Sequence, residues 1–221
     1  GKQNVIKSSA ADPSDCSTIA GGTGNLVGYG ANQATMGGGT GNSVGDGSDY
    51  STISGGALNT ISNAAYSSSI AGGRENRIAQ SAAYASVGGG LKNLAAQNYG
   101  TVSGGSNNLA GGAIATIGGG QNNRASASYD TVAGGYANVA SGGSSTIAGG
   151  SENSASANSA FVGGGWNNVA SGIGAVVAGG LQNTASGDYS TVPGGYLNEA
   201  VGDYSQAVGQ RAKANHAGAF V

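Results

Sequence analysis

The side chains able to do acid–base, nucleophilic or metal chemistry are few and scattered. His216 is the only histidine and Cys16 the only cysteine in 221 residues. Catalytic and metal sites need such groups clustered. His216 lies near the end of the chain beside Arg211 and Lys213, a basic stretch that reads as a junction to a following segment. A lone cysteine forms no internal disulfide. Asp46, Asp49, Glu75, Asp130, Glu152 and Glu199 stand at differing places and read as solvated turn residues. A calcium-binding repeat would instead hold an Asp at one fixed place in every repeat. The many Gly pairs lack the Lys-Ser/Thr and the strand-to-helix setting of a phosphate loop. The expectation is a protein that is not an enzyme, with no catalytic residue, no cofactor and no metal.

What does recur is a phrase, GG-x-x-N-x-A. Its asparagine falls at Asn25, Asn42, Asn59, Asn76, Asn93, Asn108, Asn123, Asn138, Asn153, Asn168, Asn183 and Asn198, in four steps of 17 residues and then seven of 15. Asn4 fits the same column after a longer step of 21, and Gly209 keeps the 15 step with Ala212 near the Asn position. The chain starts and stops mid-pattern, which reads as an excised piece of a longer protein. An apolar column precedes each Gly pair by two residues, from Ile19, Met36 and Ile53 to Val177 and Val192. A second follows each Asn by two: Val27, Val44, Ile61 and Ile78, then Ala95, Ala110 and onward to Ala200. Between Asn and that column the residue varies freely, as in Leu26, Ser43, Thr60, Arg77 and Glu199. A fixed apolar residue beside a free one is the alternation of a strand.

Glycine at 46 of 221 excludes long helices. Collagen would need it at every third position, and a random linker would lack the Val/Ile column. The period therefore predicts an all-β parallel β-solenoid in which each repeat is one coil of two short strands and two tight turns. About 13 such coils would stack at about 4.8 Å. The Gly pair supplies unusual φ values, and the Asn suits a left-handed turn residue able to ladder along the stack. The added residues of the 17-residue coils, as in Gly28–Ala34 and Gly45–Ser51, should bulge from one edge of the N-terminal third. One Val or Ile and one Ala per coil make a thin core. That predicts a solenoid buried against copies of itself in a closed oligomer, with the Ala and Thr columns in or near the interface.

The outward columns carry the remaining signals. Tyr50, Tyr84, Tyr99, Tyr129, Tyr189 and Tyr204 share one column, three before the Val/Ile column, with the parity of outward residues. They read as packing against a neighbouring subunit or as an aromatic contact surface. One residue before the Val/Ile column runs Thr18, Thr35, Thr52, Ser69, Ser86, Thr101 and so on, broken by Phe161 and Val176. An unbroken Thr ladder would suit ice binding; the apolar exceptions suit a subunit interface. The formal net charge of −2, with no basic stripe, excludes a nucleic-acid binder. No apolar run approaches the length of a membrane span, so direct membrane insertion is not expected here.

GGLQNTASGDYSTV (Gly179–Val192) and GGYANVASGGSSTI (Gly134–Ile147) resemble the head repeats of trimeric autotransporter adhesins, the YadA-like heads. SQAVGQRAKANHAGAFV (Ser205–Val221) is similar to the shorter variant of that repeat followed by a head-to-neck junction. The resemblance implies a left-handed parallel β-roll assembled as a homotrimer. It implies a bacterial cell-surface protein held in the outer membrane through a stalk and a C-terminal anchor. It also implies heads that bind host extracellular-matrix or cell-surface molecules, protein or glycan, and promote adhesion. Residues 1–208 then form the head repeats, with 17-residue coils to about residue 93 and 15-residue coils after. Residues 209–221 form a degenerate last coil and the start of the junction. Similar repeats occur in phage tail-fibre-like proteins, so a trimeric phage or injection-system fibre and an ice-binding solenoid stand as alternatives. The long turns are the least constrained by the repeat, so ligand contact is expected first at Tyr29, Asn32, Asp46, Asp49, Asn63, Tyr66 and Gln80. Deleting their extra residues should leave the fold intact.

Overall fold

A computed structural model describes residues 2–7 and 16–221. The middle of the 21-residue first step lies outside the described residues. The described residues fall into two compact units, Gly1–Ile114 and Ala115–Val221. Each is a parallel β-solenoid, and the chain has about 13 turns in all, with no helix among the described residues.

Every coil is built from the two-residue strands that the alternation predicts. In Gly1–Ile114 one column of strands runs through Leu26–Val27, Ser43–Val44, Thr60–Ile61, Arg77–Ile78, Leu94–Ala95 and Leu109–Ala110. A second runs through Thr35–Met36, Thr52–Ile53, Ser69–Ile70, Ser86–Val87 and Thr101–Val102. Pairing is parallel and without slip, as in Thr60 opposite Arg77 with Ile61 opposite Ile78. Ala115–Val221 repeats both columns, for instance Val139–Ala140 against Ser154–Ala155 and Thr131–Val132 against Thr146–Ile147. A third ladder of single bridging residues follows the Gly pairs: Thr23, Thr40, Ala57, Arg74, Leu91 and Ser106 in the first unit.

The core is the interior of the coil. Met36, Ile53, Ile70 and Val87 from one strand column meet Val27, Val44, Ile61 and Ile78 from the other, all fully buried. In the 15-residue coils Val132, Ile147, Val162 and Val177 are opposed instead by Ala125, Ala140, Ala155 and Ala170, equally buried. This corrects the expectation that the Ala column lies at an interface. Its side chains point into their own coil, where the shorter perimeter leaves room only for a methyl group. The Thr column is outward and partly exposed along its length.

Two turn details complete the coil. The second Gly of each pair lies at positive φ, 90° at Gly56. A Cβ there would overlap the carbonyl oxygen of Gly73 in the next coil, so both conformation and close approach demand glycine. The asparagine, in contrast, is not the left-handed residue. Positive φ belongs to the residue before it: Leu58 at 58°, Glu75 at 57°, Ala137 at 53° and Leu197 at 56°. That displacement turns the Asn side chain inward, where it is buried.

Candidate functional site

The asparagine column is the most completely bonded feature of the molecule. Asn59 Nδ2 donates to the carbonyl oxygen of Gly55, four residues back, and to that of Gly73 in the next coil, each at 3.0 Å. Its Oδ1 accepts the backbone N–H of Asn76 at 3.0 Å. Asn138 does the same with Gly134, Gly150 and the N–H of Asn153. Each amide thus satisfies backbone groups that the tight turn would otherwise leave buried and unpaired. At the far end Asn198 Oδ1 accepts from the N–H of Ala212 at 3.0 Å, and Ala212 has no amide to pass on. The role is structural, and none of this polar capacity is left to face a ligand.

The seven long-turn residues fall into two columns of 17-residue step. Tyr29, Asp46, Asn63 and Gln80 form one; Asn32, Asp49 and Tyr66 belong to the other. Asp46 Oδ1 accepts from the N–H of Tyr29, and Asp49 Oδ1 from the N–H of Asn32, both at 2.8 Å. Asn63 Oδ1 accepts from the N–H of Asp46 at 3.2 Å. The backbone pairs as well: the N–H of Gly47, Ala64 and Ser81 reach the carbonyls of Tyr29, Asp46 and Asn63. These turns are therefore as regular as the strands, which corrects the view that they are the least constrained. Their extra length also points inward. Ala31, Ser48, Ala65 and Ala82 are buried, and Ser48 Oγ donates to the carbonyl of Ser62 at 2.9 Å. Deleting the extra residues would remove an internal wall of the coil, so such a deletion is expected to destabilise the fold rather than leave it intact. Tyr29, Asp46, Asn63, Tyr66 and Gln80 remain exposed, while Asn32 and Asp49 are half-buried. Lys7 Nζ lies 5.2 Å from the centre of the Tyr29 ring, and Tyr66 meets Tyr84 edge to face at 5.3 Å.

The tyrosine column lies on the outside at positive φ. Tyr84 stacks on Tyr99 with ring centres 5.0 Å apart, and Tyr189 on Tyr204 at 5.2 Å. The ring of Tyr189 lies over Gly174, where a Cβ would press within 2.9 Å of it. Phe161, at 37% exposure, interrupts the Thr column and spoils it as a flat hydroxyl array. Asp130 is buried and structural: its carboxylate accepts from Ala127, Gly143 and Ser145 N–H groups and from Ser145 Oγ at 2.8 Å. Cys16 is exposed with a free thiol. Among the described residues no pocket opens and no acidic, histidine or cysteine group gathers to hold a metal ion. The usable surface is a set of outward columns.

The family model of the ubiquitous surface protein adhesin repeat matches residues 130–142. Over these residues the chain is similar to that adhesin repeat. The matched stretch, DTVAGGYANVASG, is one coil's working set: the Thr131–Val132 strand, the Gly pair, Asn138 with its ladder bonds, and the Val139–Ala140 strand. The same columns recur before and after it, so the adhesin repeat and the solenoid describe one object, consistent with a YadA-like head repeat domain of the trimeric autotransporter family. Among curated proteins nothing matches the chain. The adhesin repeat suggests a surface adhesin, and both repeat and fold are structural rather than enzymatic. No helix among the described residues is long and apolar enough to cross a membrane. One outward column escaped the sequence reading. The bridging residues of Ala115–Val221 include Tyr136, Trp166 and Tyr196, and the signal was available as GGY, GGW and GGY at 30-residue intervals.

Proposed function

We propose that the chain is the head of a bacterial surface adhesin, a left-handed roll assembled as a homotrimer, that binds host extracellular-matrix or cell-surface molecules. The observation that carries this reading is the similarity to an adhesin repeat at residues 130–142, set in a solenoid whose buried asparagine column bonds its own turns. With its interior closed, the molecule has its outward columns for recognition. A flat, weakly charged surface suits macromolecules rather than small ligands. Self-association would cover part of the Thr column, including Phe161 and Val176, and the tyrosine column supplies aromatic contacts of the kind enriched at interfaces. Residues 1–208 serve as the head repeats and 209–221 as its last coil and the start of a junction. Outward side chains of the long turns, Tyr29, Tyr66 and Gln80, contribute to ligand contact. The protein works at the cell surface.

Sedimentation equilibrium over a concentration range tests the assembly. A stable mass near three times 20.9 kDa is expected. A folded monomer at every concentration would remove the trimer from this reading. Adhesion of the chain to immobilised matrix proteins and host cells tests the role, and failure to adhere to either would sink it.

A further inference from the structure

The residue after each Gly pair faces outward and bridges to its equivalent in the next coil. In Ala115–Val221 this ladder runs Gln121, Tyr136, Ser151, Trp166, Leu181 and Tyr196, all parallel and in register. Aromatic rings therefore occupy every second rung. The corresponding ladder of Gly1–Ile114 contains none. Trp166 is the only tryptophan of the chain and is 46% exposed; Tyr136 is 45% exposed and Tyr196 half-buried. Tryptophan is ordinarily among the more buried residues, so one held out on a regular ladder is informative.

Rungs of a β-ladder are about 4.8 Å apart, so the three rings recur about every 10 Å along a line. Beside them runs the column that precedes each ladder Asn: Asn122, Glu152 and Asn167 are exposed, and Ala137, Gln182 and Leu197 are half-buried. Trp166 thus has an amide, Asn167, beside it, Tyr136 and Tyr196 have the apolar Ala137 and Leu197, and the column carries a single carboxylate, Glu152. A charged polymer finds little here to pair with. A neutral, extended polymer with its own repeat near two rungs fits. In a β-1,4-linked glycan each sugar is turned over relative to the last, so the same face returns every second sugar, about 10 Å along, the span of two rungs. The C–H face of a pyranose packs on an aromatic ring, and hydroxyl or acetamido groups at the sugar edge hydrogen-bond to amides.

We propose that Tyr136, Trp166 and Tyr196 form a binding row for an extended, uncharged β-1,4-linked polysaccharide. This names a partner class for the adhesive surface and in that sense rests on the adhesion reading, although its test does not.

The full 221-residue chain is incubated with insoluble chitin and cellulose, and with granular starch, whose α-1,4 linkage coils the chain away from the 10 Å repeat. Retention on a β-1,4-linked polymer but not on starch is expected, with chitin against cellulose reporting whether the acetamido group matters. Trp166→Ala should weaken retention at least about tenfold, as loss of a central aromatic anchor does. The pair Ser151→Trp with Trp166→Ser keeps composition but breaks the spacing, and should lose retention equally. Phe220→Ala, which removes an exposed aromatic ring outside the row, should leave it unchanged. Equal retention on starch, retention indifferent to the exchange, or no retention on either β-1,4-linked polymer would overturn the proposal. So would a change of sedimenting mass in Trp166→Ala, which would make the row a self-association face. Adhesion to matrix proteins without retention on glycan would sink the row and leave the adhesin reading standing. Retention without any host adhesion would do the reverse.

Discussion

The 17-residue coils and the 15-residue coils solve one packing problem with different perimeters. In the longer coil, Ile53 and Ile70 face Val44, Ile61 and Ile78, and the two additional residues bring a further inward side chain from the column Ala31, Ser48, Ala65 and Ala82. In the shorter coil, Val132 and Ile147 face Ala125, Ala140 and Ala155. The change of residue type in the second apolar column, from Ile78 to Ala95, coincides with the last 17-residue step. Coil length and core volume are thus set together, while the asparagine ladder and the Gly pair are the same in both. The lesson is that period is a packing variable here, and the turn chemistry is the invariant.

The strongest challenge to that division attacks the invariant. Asn138→Asp places a buried carboxylate against the carbonyls of Gly134 and Gly150 and removes both donors. A loss of about 3–5 kcal/mol is expected, the scale of an uncompensated buried charge. Chemical denaturation would show it, and the equivalent change at Asn59 should cost as much, because the ladder is common to both coil types. Next comes the variable part. Ile61→Ala should cost about 2–5 kcal/mol by leaving a cavity in the wide coil. Ala140→Ile, the converse change in the narrow coil, should also destabilise, by about 1–3 kcal/mol, through overpacking. If Ala140→Ile were neutral in thermal melts, perimeter would not be what selects alanine.

A smaller effect belongs to the wide coil alone. Ser51 Oγ donates to the carbonyl of Ala65 at 2.9 Å and accepts from the N–H of Ser68. Ser51→Ala should cost about 1–2 kcal/mol, read as faster amide exchange at Ser68. At the surface, Glu199→Gln weakens the ion pair with Lys213 at 3.0 Å. Because both side chains are exposed, a change below about 1 kcal/mol is expected, and it should vanish at high salt.

Much of this was legible in the sequence because each column has its own chemistry. The Val/Ile and Asn positions declared strands and turns, and the outward parity of the tyrosines followed from their offset. Other features were not legible, since they depend on neighbours in space. The left-handed φ moved from Asn59 to Leu58 because the amide is more useful inside, bridging to Gly73 and Asn76. The long turns looked free because Asp46 and Asp49 are typical loop residues. Only their alignment one coil apart shows one oxygen of each carboxylate accepting a backbone N–H of the preceding coil. Of the proposed contact residues, Asn32 and Asp49 are half-buried, and Tyr29, Asp46, Asn63, Tyr66 and Gln80 stay exposed.

The parallel, slip-free register has a consequence for how such a gene can change. Every ladder pairs equivalent positions of successive coils, so an exchange that inserts or removes one whole repeat restores each ladder to the same partners. An insertion of part of a repeat does not. Selection can therefore lengthen or shorten this polypeptide in discrete increments without inventing a new turn. The tolerated mutational step is the coil itself.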